Sequence, residues 1–135
     1  MIFDNIIIND EIWTKLTNSY KRNKIANGYI FSGQEGVGKE AHAIEFSGLL
    51  NCKRPSKANI ACGNCRSCIS IKSFQHEDIH FIHPMPRGKN TKSSSEVIIN
   101  SATIDELRNG YKKKQEDPYH KIKLSKANTI LINSI

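Results

Sequence analysis

The stretch from Tyr29 to Leu50, YIFSGQEGVGKEAHAIEFSGLL, constrains the fold more than any other part of the chain. Three β-favouring residues, Tyr29, Ile30 and Phe31, read as a short strand and precede a glycine-rich turn. A helical run follows, with Ala41, Ala43, Ile44, Phe46, Leu49 and Leu50 forming a broad apolar surface that predicts burial against a sheet. Gly33, Gly38 and Lys39 fit the phosphate-loop pattern G-x-x-x-x-G-K-[ST] up to its last position. Glycines let the backbone approach an anion and take positive φ angles. Successive N–H groups and the start of the helix then converge on a phosphate. Gly33, Gly36, Val37, Gly38, Lys39 and Glu40 are therefore the candidate nucleotide-binding residues, with Lys39 reaching the terminal phosphates as a point charge. The bare pattern also recurs by chance; a strand before it and a helix after it are the context that gives it meaning.

Glu40 stands where the pattern requires Ser or Thr. It lacks the hydroxyl that ligates Mg²⁺ and sets a carboxylate beside the phosphates. Phosphoryl transfer depends on positioning and on metal neutralisation of charge, so nucleotide binding and hydrolysis are both weakened at this point. The competing reading is that Glu40 turns outward as an acid at a helix N-terminus, where it is favourable. ATP is the implied nucleotide, and no catalytic residue is assigned.

Ahead of this stretch, Ile6, Ile7 and Ile8 predict a segment that packs on the domain. Asn9 or Asp10 caps a helix running to about Asn23. Ile12, Trp13, Leu16 and Tyr20 fall at helical spacing and form its core-facing stripe.

The four cysteines follow at once, as Cys52, Cys62, Cys65 and Cys68, with spacing C-x9-C-x2-C-x2-C. Cys62 and Cys65 form a knuckle around a Gly-containing turn, Cys68 lies one helical turn on, and Cys52 closes the set from the end of the preceding helix. Four thiolates suit a closed structural zinc site with no open position for catalysis. Disulfides are the competing assignment and belong to oxidising compartments. An iron–sulfur cluster is the other, but Lys72 occupies the place of the fourth cysteine of the C-x2-C-x2-C-x3-C run. His76, His80 and His83 are read as ordinary strand and loop residues, since four cysteines already complete a metal site.

Beyond the cysteines, Ser70 to Phe74 finishes a short helix and Ile79-His80-Phe81-Ile82 predicts a second strand. Pro84 to Glu96 reads as a loop in which Arg87, Lys89 and Lys92 meet nucleic acid or keep the loop solvated. Thr103 to Gln115 predicts a helix with a capping box at Thr103-Ile104-Asp105-Glu106, a thin stripe of Ile104, Leu107 and Tyr111, and a stop at Pro118. Asn128 to Ile135, NTILINSI, is apolar and β-like, and its abrupt end points to an N-terminal portion of a longer protein.

The chain has 135 residues, enough for one domain with a modest core. No apolar run approaches the roughly 18 residues of a membrane span, and MIFDNIII lacks the features of a secretory signal, which predicts a cytoplasmic protein. The net charge of +7 is uneven: residues 1–51 carry five basic and six acidic groups, and residues 52–135 carry fifteen and seven. A scattered excess of this kind is ordinarily a solvated surface, and otherwise attracts a polyanion such as nucleic acid.

The order of helix, strand, phosphate loop, buried helix and C-x9-C-x2-C-x2-C resembles the start of bacterial clamp-loader subunits, the AAA+ proteins of DNA polymerase III. The resemblance spans roughly Asp4 to Ile82. The family's His-Pro-Asp segment reads His76-Glu77-Asp78 here, without its proline. It implies an α/β fold: a truncated phosphate-loop (AAA+) domain with an inserted four-cysteine zinc module. Residues 1–51 would form the first part of that domain, 52–72 the zinc module, and 73–135 its continuation with an insertion at 84–119. It further implies a hetero-oligomer with gamma/tau and delta types of subunit, acting with a sliding clamp on primed DNA as part of a DNA polymerase holoenzyme. Gamma/tau subunits resemble active ATPases with Thr after the loop lysine, whereas delta prime subunits often carry a degraded loop and act as stationary parts. Glu40 aligns the chain with the delta prime type, a scaffold without ATPase activity of its own. An active gamma/tau-type motor or other phosphate-loop NTPase is the alternative. A zinc-ribbon nucleic-acid binder with a vestigial loop is a third, though no aromatic stacking platform adjoins its basic residues.

Overall fold

The computed structural model describes residues 1–86, 100–125, 127 and 130. Among the described residues four helices are formed in order: α1 (Asp10–Lys21), α2 (Lys39–Asn51), α3 (Arg66–Lys72) and α4 (Ser101–Glu116). The chain divides into two compact units, Met1–Ile79 with Asp117–Tyr119, and His80–Glu116 with His120–Ile135.

In the first unit, α1 begins where the sequence provides a cap. The Asn9 side chain accepts the N–H of Ile12 at 3.1 Å, and Asp10 and Glu11 place acids in the first turn. Trp13 and Leu16 from α1 pack with Phe46 and Leu49 from α2, and Ile8, Tyr20 and Phe31 lean on this cluster. Ile12, expected in the stripe, is 42% exposed. The indole N–H of Trp13 is buried without a hydrogen-bond partner among the described residues.

The strand expected at Tyr29–Phe31 is not formed, nor is that at Ile79–Ile82. Among the described residues the only β-type residue is Met85, in an isolated bridge. A strand exists only through a neighbour that accepts and donates its backbone hydrogen bonds, and among the described residues neither segment forms a ladder. Tyr29 stacks edge-on against Phe46 with ring centroids 5.3 Å apart, and Phe31 packs on the same cluster. Ile30, between them, is 96% exposed. The alternation of a strand is therefore present without its ladder.

The head of the chain is the other organising element of this unit. Ile2 and Phe3 are fully buried, and their N–H groups donate to the two carboxylate oxygens of Glu45 at 3.0 and 2.7 Å. The α-amino group of Met1 donates to the Ala61 carbonyl at 2.7 Å. A Cβ on Gly48 would lie 2.5 Å from Ile2 Cγ1. Met1 to Phe3 thus threads between α2 and the cysteine module.

In the second unit, α4 starts two residues earlier than its sequence signature suggests. Asn100 Oδ1 accepts the Thr103 N–H at 2.8 Å, so Asn100 takes the capping role expected of Thr103. Glu106, the expected partner in that cap, instead accepts the N–H and hydroxyl of Ser125 at 2.9 and 2.7 Å. Leu107 and Ala127 pack on Met85 and Leu124, and His83 meets the Tyr111 hydroxyl at 3.0 Å. Lys114 turns inward, 1% exposed, and donates to the His120 carbonyl at 2.7 Å. The helix ends at Glu116, ahead of Pro118 as expected. Arg87, Lys89 and Lys92 lie outside the described residues, as does the β-like reading of 128–135 in all but Ile130. No described helix is long and apolar enough to cross a membrane.

Candidate functional site

The candidate phosphate loop is a tight, exposed turn that ends at the start of α2. Gly36 and Gly38 have φ angles of 84° and 78°, a region that L side chains rarely adopt. Gly38 is the N-cap of α2 and provides no side-chain acceptor for the first N–H groups of the helix. Gly33 opens the loop, with Val37 Cγ2 3.5 Å from the position of a Cβ on it. Lys39 folds back over the turn, its ammonium bonded to the carbonyls of Gly33, at 3.0 Å, and Gln34. Glu40 is exposed in the first turn of the helix. Beside the loop lies a cleft of about 460 Å³ whose walls include Ile12, Tyr29, Ile30, Val37, Lys39 and His42.

Two residues that sequence reasoning missed hold Gly38 in place. His42 is buried; its Nε2 accepts the Asn9 N–H at 3.0 Å, so its Nδ1 carries the proton and donates to the Gly38 carbonyl at 2.8 Å. This one ring ties the cap of α1 to the cap of α2. Tyr119 lies on the other side of Gly38, where a Cβ would meet its ring at 2.8 Å, and its hydroxyl accepts the Ile7 N–H at 2.8 Å. A histidine on the apolar surface of the helix, four residues after a loop glycine, was the available signal for His42. Tyr119 left none.

The four cysteines are brought together from three places. Cys52 is the C-cap of α2, Cys62 lies in the connecting loop, Cys65 is the N-cap of α3 and Cys68 is within that helix. Gly63, in the knuckle, has φ 77°, and a Cβ there would sit 2.5 Å from the Met1 carbonyl oxygen. All four sulfurs lie within 4.8 Å of one another, with Cys65–Cys68 at 3.4 Å and Cys62–Cys68 at 3.9 Å. These separations are far longer than the ~2.05 Å of a disulfide. They bracket the ~3.8 Å spacing of four sulfurs around one tetrahedral ion bound at ~2.3 Å. Backbone N–H groups aim at the sulfurs: the Cys62 N–H donates to Cys52 Sγ at 3.3 Å. The Asn64 N–H lowers the pKa of Cys62, and the N–H groups of Cys68 and Lys53 hold the Cys65 thiol down at about 6. Burial, with the hydrogen bond to Cys65, pushes the Cys68 thiol up to about 12. The donor set fits a single metal ion, and among the described residues no histidine joins it. His76 instead bonds Ser67 Oγ at 2.9 Å and accepts the Asp78 N–H at 3.2 Å.

The family model described as DNA polymerase III, delta subunit, matches residues 8–132. The chain belongs to the DNA polymerase III clamp-loader family. The clamp-loader relatives include DNA polymerase III subunit tau/gamma of Haemophilus influenzae, 33% identical over 98 residues, which are 73% of this chain and 14% of that protein. Subunit delta' of Pseudomonas aeruginosa is 33% identical over 73 residues, 54% of this chain and 21% of the relative. The protein STICHEL of Arabidopsis thaliana is 32% identical over 97 residues, 72% of this chain and 8% of its own length. The chain therefore spans a small part of the curated relatives it matches. No solved structure matches it. Equal identity to a tau/gamma and a delta' relative means that similarity alone does not separate the two clamp-loader types.

Proposed function

We propose that the chain serves in DNA replication as part of a delta prime-type clamp-loader subunit, a scaffold that does not itself hydrolyse ATP. Glu40 carries this reading: it follows Lys39 in the first turn of α2, where a Mg²⁺-ligating hydroxyl is needed. Its partners would be gamma/tau and delta types of subunit in a cytoplasmic hetero-oligomer, and through them a sliding clamp and primed DNA. Gly33, Gly36, Val37, Gly38 and Lys39 would form a nucleotide cradle weakened by Glu40. Cys52, Cys62, Cys65 and Cys68 would hold a structural zinc ion, supported by their spacing and by an all-thiolate donor set.

The test is Glu40→Thr in the full-length protein. Removing a carboxylate a few ångströms from the phosphates is worth ~1 kcal/mol or more near a surface, so Mg²⁺-ATP should bind at least about fivefold tighter. Unchanged affinity would show that Glu40 is not the defect. The similarity to tau/gamma relatives supports a second reading, an active motor. It predicts Mg²⁺-dependent ATP turnover by the full-length protein with Glu40 in place.

A further inference from the structure

A second cleft, of about 570 Å³, lies beside the four-cysteine module. Its lining includes Lys53, Arg66, Ser67, His76, Glu77 and Asp78. The buried Ser67 hydroxyl, its bond to His76 and the Asp78 N–H on the far side of that ring brace one wall. The volume is in the range of ligand pockets, about 300–1,000 Å³, and larger than a lone ion requires. None of the ion pairs found among the described residues involves Lys53 or Arg66. Nor do they involve Arg54 and Lys57, both exposed on the loop between Cys52 and Cys62. Four cations outside any ion pair are thus carried next to the cysteine module, and two of them, Lys53 and Arg66, share the cleft with the carboxylates of Glu77 and Asp78.

We propose that this cleft binds backbone phosphates of a nucleic-acid strand, with Lys53 and Arg66 as the contacting cations and Arg54 and Lys57 extending the positive path. The proposal does not depend on which type of clamp-loader subunit the chain belongs to. No Phe, Tyr or Trp lines the cleft and the His76 ring is tied down on both sides by Ser67 and the Asp78 N–H, so contact would be to phosphate rather than by base stacking, and insensitive to sequence. Glu77 and Asp78 oppose the same ligand and hold its affinity down.

The test is anisotropy of a labelled single-stranded 20-mer with the intact 135-residue chain, titrated from 50 to 200 mM salt. Lys53→Ala with Arg66→Ala should weaken binding at least fivefold at low salt. It should also flatten the salt slope by about 1.4, the ~0.7 per phosphate contact expected for single strands. Lys21→Ala with Lys24→Ala, which removes the same charge elsewhere, should change affinity less than twofold. Glu77→Gln with Asp78→Asn should tighten binding, a gain that misfolding cannot imitate. Any of four results would overturn the proposal: no binding at 50 mM salt, an equal loss in the Lys21/Lys24 control, equal competition by poly-glutamate, or loss of bound metal by the Lys53/Arg66 variant. The third would assign the cleft to acidic peptides, and the fourth would assign the cations to balancing thiolate charge.

Discussion

Glu45 faces the buried side of α2, where a carboxylate is costly unless it is bonded. Its two oxygens are occupied by the N–H groups of Phe3 and Ile2. Burial nevertheless raises its pKa above the ordinary value, the N–H bonds only partly opposing it. The folded state then holds this proton more tightly than the unfolded chain does. Stability therefore falls as pH rises from the unfolded pKa through the folded one. Glu45→Gln removes the titration and sets an amide NH₂ against one backbone N–H, a loss of about 1–3 kcal/mol. We expect urea titrations to show wild type ahead of Glu45→Gln at pH 4, with the gap narrowing toward neutral pH. A widening gap would mean that folding lowers the Glu45 pKa instead of raising it. Nothing in the local sequence marks Glu45 as the partner of residues 42 and 43 positions away, so its role was not legible. Glu40, by contrast, was legible at once, because a motif fixes what its position must do.

The helices show where sequence pattern succeeds and stops. Asn9 and the Trp13–Leu16 stripe specify α1 within one or two turns of chain, and the expected helix appears with only its end shifted. The glycine turn and the cysteine spacing are equally local. The segments at Tyr29–Phe31 and Ile79–Ile82 carry β propensity but require a distant ladder partner, which propensity does not provide. The cap of α4 moved from Thr103 to Asn100 because Glu106 found Ser125, nineteen residues on. Gly48, inside α2, tests whether packing outweighs propensity. Alanine would improve the helix by about 1 kcal/mol. Its Cβ would press on the fully buried Ile2, and overpacking costs about 1–3 kcal/mol. We expect Gly48→Ala to destabilise by about 1 kcal/mol, and Ile2→Val in the same chain to recover part of that loss. A denaturant midpoint higher than wild type would show that Ile2 can move aside.

For the first unit as a whole, the cysteine module is a structural member rather than an appendage. Cys52 ends α2, Cys65 begins α3, and Gly63 and Ala61 hold Met1. A metal bound by the four sulfurs would contribute its binding energy to folding of everything these residues touch. Metal analysis of protein purified under reducing conditions should find one zinc per chain. Its removal by a chelator should lower the thermal midpoint and release Met1–Phe3 to exchange and proteolysis. Acidification should weaken retention, because each thiolate that regains a proton competes with the ion. Absence of zinc, or an unchanged midpoint after its removal, would refute the assignment.

The buried head of the chain also imposes an order in time. Ile2 and Phe3 are made before α1, yet their places are built from Glu45, Gly48, Ala61 and Gly63. They can settle only after some sixty further residues have been synthesised and the cysteines gathered. Until then two large apolar side chains remain in water, so this part of the first unit waits on contacts that are distant in sequence.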